Sequence, residues 1–110
     1  MIRQVSLSDL GPVDFVPQAV VRSPVSYFSN RLGYKFEKEI DDLDEVESAF
    51  FEMDDGIPFA LIHYRGNPAD TTTIYFERKT PAIDVLKLVN GIITIFDLPP
   101  VSIVWVSGAV

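Results

Sequence analysis

His63, Tyr64 and Arg65 stand in a row, and the polar turn Gly66-Asn67-Pro68-Ala69-Asp70 follows them directly. An imidazole, a phenol and a guanidinium beside a turn-locked loop could bind a hydrogen-bonding ligand, because loops held by a rigid sheet often carry function. Together with Tyr75 they form the candidate binding set: His63, Tyr64, Arg65 and Tyr75 as the polar lining of a pocket between helix and sheet. No catalytic residue is assigned. His63 is the only histidine, so no multi-histidine metal site can form, and the G-x-S-x-G, H-E-x-x-H, G-x-G-x-x-G and P-loop patterns are missing. The chain has no cysteine, which excludes disulfides, thiolate ligands and Cys nucleophiles. The acidic run Asp41, Asp42, Asp44, Glu45 and Glu47 invites a calcium loop. With Asp42 as first ligand Asp44 falls in place, but Val46 takes the fifth position and Glu47 the sixth, where that loop turns on glycine. The expectation is therefore no metal and no cofactor.

The elements that must position these residues read as follows. The first twenty residues carry few signals, and an edge strand ending near Val21 fits the Pro17 within them. Ser23-Pro24 starts a short helix whose Val25, Phe28 and Leu32 fall at helical spacing, with Gly33 as the left-handed residue after it. Tyr34 to Ile40 alternates as a half-buried strand; strands over Val46–Met53 and Ile57–Tyr64 flank Asp54-Asp55-Gly56, read as a two-residue hairpin turn with positive φ at both centres. Thr71 to Glu77 is a further strand. Thr80-Pro81 repeats the cap-plus-proline device, the second helix runs to about Phe96, and Val101 to Val106 closes as a strand. The expected order is β-α-β-β-β-β-α-β in one domain spanning residues 1–110. It is an α+β fold with a mostly antiparallel sheet and two short helices packed on one face.

The stretch Tyr27-Phe28-Ser29-Asn30-Arg31-Leu32-Gly33-Tyr34-Lys35-Phe36-Glu37 resembles the helix-to-strand step of glyoxalase and other vicinal-oxygen-chelate modules, over about a tenth of the chain. The resemblance implies paired βαβββ units with metal ligands on the strands. The chain has one histidine and no length for a complete second module, so no family assignment follows.

The second helix carries two apolar stripes, Ile83, Leu86, Val89 and Ile93, and Val85, Leu88, Ile92 and Ile95. A helix on a small sheet has one face to bury, so the second stripe and the uncharged last strand predict a homodimer through Val85, Leu88, Ile92, Ile95 and Trp105. Sixteen acidic against nine basic residues leave a net charge of −7, which disfavours nucleic acid as a partner. Lys87, Asn90, Asp97 and Pro99-Pro100 interrupt the greasiest stretch, and no basic-then-apolar leader opens the chain; the expectation is a cytoplasmic protein with no membrane span. Two functions fit these residues. The first is a small acidic, non-enzymatic protein-interaction module, whether inhibitor, immunity-type or regulatory factor. The alternative is a small-molecule-binding domain or small enzyme with its pocket between helix and sheet.

Overall fold

The computed structural model describes residues 2–41 and 44–107. Asp42 and Leu43 lie outside the described residues, and so does the calcium reading that began at Asp42. The fold is α+β with a mostly antiparallel sheet and several helical elements. In chain order these are β1 (Ile2–Val5), α1 (Leu7–Leu10), β2 (Phe15–Val21), a π-helical turn (Tyr27–Arg31), β3 (Glu37–Asp41), β4 (Asp44–Met53), β5 (Pro58–Tyr64), β6 (Thr72–Glu77), α2 (Ala82–Ile95), a 3-10 turn (Pro100–Ser102) and β7 (Ile103–Val106). The strands form one seven-stranded sheet ordered β1-β4-β5-β6-β2-β7, with β3 also on β4. Every strand pairing among the described residues is antiparallel.

The N-terminal residues are more ordered than their composition implied. Ser6 caps α1 through a reciprocal box: its hydroxyl accepts from the Asp9 amide while the Asp9 carboxylate accepts from the Ser6 amide. The Ser6 amide first, and its hydroxyl second, hold the Asp9 carboxyl below the usual carboxylate range by hydrogen bonding to its charged form. β1 then pairs with β4, Ile2 opposite Met53 and Val5 opposite Phe50, a contact of long sequence separation that no local pattern announces. β4 thus serves two neighbours along one edge: β3 against Asp44–Ser48 and β1 against Phe50–Met53.

Four local expectations are corrected. The helix begun at Ser23-Pro24 is wound wide, with the Leu32 N–H donating to Tyr27 O five residues back at 3.3 Å. Gly33 follows at φ 82°, as its position required. Tyr34 to Phe36 do not join the sheet. The Tyr34 N–H donates to Phe28 O and the Lys35 N–H to the Gln4 side chain, so these amides are satisfied elsewhere while Tyr34 and Phe36 turn onto the core. In the β4–β5 hairpin only Gly56 has positive φ, 85°; Gly56 N–H donates to Met53 O and Met53 N–H to Ile57 O, the longer turn in which the left-handed residue comes last. At α2, Pro81 is itself the cap residue and Thr80 makes no capping bond.

The core forms where the alternation of β4, β5 and β6 meets α2. Phe51, Phe59, Leu61, Ile74 and Phe76 are joined there by Phe28 and by Val85, Val89, Ile92, Ile93 and Phe96. Phe96 lies 5.1 Å from Phe28 and 5.8 Å from Phe51, both edge-on, while Phe51 stacks on Phe59 at 5.1 Å. Asp97 ends α2 at φ 59°: its N–H donates to Thr94 O and the Leu98 N–H to Ile93 O, a Schellman close. The Tyr27 hydroxyl donates to Phe96 O at 2.6 Å, pinning the π-helical turn to that close. Among the described residues no helix is long and apolar enough to cross a membrane.

Candidate functional site

Strand alternation divides the four residues expected to line one pocket. His63 continues the core side of β5 behind Phe59 and Leu61, and lies opposite Glu47 of β4. Tyr64, one residue on, lies on the other side of the sheet, and so does Tyr75, which opposes Ala60. Arg65 returns to the His63 side, where its guanidinium stands 3.8 Å from Glu45 and Lys38 approaches the same carboxylate at 4.0 Å. The structure therefore brings His63 and Arg65 together with Lys38, Glu45 and Glu47, and sets Tyr64 and Tyr75 apart from them.

That polar group lines two small recesses at one end of the sheet. One, of about 280 Å³, has Ser26, Ser29, Glu47 and His63 on its walls; the adjoining one, of about 230 Å³, has Lys38, Glu45, Glu47, His63 and Arg65. Both fall below the ~300 Å³ at which small-molecule pockets begin, but Lys38, Glu45 and Arg65 also border a wider recess of about 470 Å³ together with Glu39 and Ile40. Their ion pairs are solvent-exposed and of little energetic weight. Among the described residues no group of three or more His, Asp or Glu could hold a metal ion. Beneath the middle of α2, Phe51, Phe59, Phe76 and Phe96 fill the space at 0–1% exposure, while a cleft of about 510 Å³ opens between Asp84, Lys87 and Leu88 of α2 and the hairpin end of the sheet at Gly56 and Pro58.

The other side of the sheet is different in kind. Cross-strand partners share a face, so Phe50, Ala60, Tyr75 and Pro17 form one row, and Ser48, Ile62, Thr73, Val20 and Trp105 the next. Phe15 packs on Phe50 with ring centres 5.8 Å apart. Ala60 is fully covered by its neighbours, while Phe15, Val20, Phe50, Ile62 and Tyr75 remain half-buried and Trp105 is 47% exposed. Burial pushes the Tyr75 phenol up from its ordinary pKa, because the phenolate would lose solvation on this apolar surface. Carboxylates border the face in register: Glu37 beside Ser48, Glu39 beside Val46, Glu52 beside Pro58 and Glu77 beside Phe15. Glu52 is paired with Arg3 at 2.6 Å, and Glu77 stands 4.0 Å from Lys79. The β3 border, with Glu37 and Glu39, is thus the more negative one.

The residues expected at a subunit interface are also divided. Val85 and Ile92 are each 1% exposed and belong to the core, and Leu88 is partly buried against it; Ile95 and Trp105 are exposed. On α2 the inward arc is Val85, Val89, Ile92, Ile93 and Phe96, which draws from both stripes, and the exposed apolar residues are Ile83, Leu86 and Ile95. Comparison with protein-family models, with curated proteins and with solved structures found no match.

Proposed function

We propose that this protein is a non-enzymatic protein-interaction module, an inhibitory, immunity-type or regulatory factor of the cytoplasm, that docks its partner on the open face of its sheet. In this reading the two helical segments cover one face and leave the other, with its Phe50–Tyr75 and Ile62–Trp105 rows, for the partner. The observation that carries it is this apolar surface with an acidic β3 border, on which Phe15, Phe50, Ile62, Tyr75 and Trp105 all stay partly exposed. The partner is a protein presenting apolar side chains flanked by Lys or Arg where it meets Glu37 and Glu39. An interface of that build takes affinity from its apolar centre and encounter rate from its charged edge. A net charge of −7 argues against nucleic acid in that role.

The test is capture of a stoichiometric partner from native lysate by wild type, Ile62→Lys and Glu37→Lys/Glu39→Lys. Ile62→Lys should abolish capture, and the double reversal should slow association and flatten its salt dependence. Capture that survives Ile62→Lys but is lost with His63→Gln would instead move recognition to the polar recess and favour the small-molecule alternative.

A further inference from the structure

The two ends of the sheet are built differently. One end is shared by β3, which reads Glu-Lys-Glu-Ile-Asp, and by β1, which carries Arg3 and is tied through Gln4 to the main chain of Lys35. Charges along an edge strand discourage another strand from adding to it. The other end is β7, Ile-Val-Trp-Val, with no charge at all. Among the described residues no strand pairs with its outer side. The ladder to β2 is regular from Trp105 to Ser107 and bulges at Val104, the extra residue between the Val20–Trp105 and Val21–Ile103 pairs. The Ser107 N–H donates to Gln18 O at 2.7 Å and Trp105 opposes Val20, so by antiparallel alternation the main-chain groups of Val106 face away from the sheet.

We infer that β7 pairs antiparallel with β7 of a second copy of this chain, about a two-fold axis through Trp105. The segment Val104-Trp105-Val106 reads the same in both directions. That axis sets each Val104 opposite the other copy's Val106 and gives the outward main-chain groups of Val106 a partner strand. The two Trp105 residues become a close pair, about 4.5 Å apart at Cα, on the open-face side of the sheet. No charged side chain of β7 meets its copy, and the acidic β3 border lies at the far end of each sheet. Val104 is 49% and Trp105 47% exposed, and pairing covers both in each copy at once. One short edge covers less than the ~1,000 Å² of a stable interface, so the dimer is weak. Joining the edges also makes the two open faces continuous, a surface that single chains do not present.

Trp105 is the only tryptophan, so its fluorescence reports on the pair directly. Sedimentation equilibrium and Trp105 emission are followed from about 5 µM to about 1 mM. Wild type should rise toward twice the single-chain mass, with a blue shift of emission at the same midpoint. Val104→Pro and Val104→Lys should stay single-chain throughout while keeping the wild-type circular dichroism, because Val104 is not a core residue. Ile83→Lys, an exposed change on α2, should dimerise as wild type. A wild type that remains single-chain, or a Val104→Pro protein that dimerises equally well, overturns the inference. Loss of association in Ile83→Lys alone would also overturn it, by moving the contact to α2.

Discussion

Tyr75 shows how one side chain reports on a whole surface. Its phenol lies on the apolar open face, and burial raises its pKa above the ordinary value of 10.0. As pH climbs past the ordinary value, the unfolded chain gives up its proton while the native one still holds it. The native state therefore loses stability from that point until its own, higher pKa is passed, and the loss stays constant beyond it. Absorbance titration at about 295 nm, taken as the difference between wild type and Tyr75→Phe, should show a midpoint above the ordinary tyrosine range. A partner covering the open face should raise it further; a partner that leaves it unchanged binds elsewhere. His63 sits at the same scale with a different character, since its cross-strand neighbour Glu47 and the Lys38–Glu45–Arg65 cluster are part of an open, polar end of the sheet.

At the scale of the element, α2 is the informative case. Val85, Val89, Ile92, Ile93 and Phe96 span an arc of about 100° at 3.6 residues per turn, which is one buried stripe. Ile92→Ala should cost about 2–5 kcal/mol, since a close-packed neighbourhood fills the lost volume poorly. Ile83→Ala, at a site 87% exposed, should stay within about 0.5 kcal/mol of wild type. Chemical denaturation of the two variants side by side checks both numbers. Equal losses would mean that the helix rides on the sheet by its other side.

The whole molecule is small enough for its charge to act collectively. Its extents are 34 × 32 × 26 Å and its net charge is −7. At about 0.01 M salt the screening length is about 30 Å, so nearly every charge feels every other; at about 0.15 M it is about 8 Å. Moving between these conditions near neutral pH should raise the thermal midpoint, because self-repulsion fades faster than the short exposed ion pairs, such as Arg3–Glu52 and Arg78–Asp14 at 2.6 Å, lose value. A midpoint that falls with salt would mean those pairs outweigh the repulsion.

The α+β class, the strands β5 and β6, the extent of α2 and the turn at Gly56 were legible in the residues themselves. Each rests on a local signal: period-two alternation, the 3.6-residue repeat or a glycine at positive φ. The polar residues His63, Tyr64, Arg65 and Tyr75 were legible too, but not their separation onto two sides of the sheet, which follows from register between strands distant in the chain. The same holds for β1, whose partner is Phe50–Met53, and for the π-helical turn, wound around the burial of Phe28 beneath Phe96. The stripe of Val85, Leu88, Ile92 and Ile95 read as the outward one, yet Val85 and Ile92 lie in the core, because periodicity gives the shape of an apolar face and not the direction of the core. Local propensity is a property of neighbours along the chain. Sidedness, register and the uncovered face arise only when distant segments meet, and the open surface of the sheet was decided there.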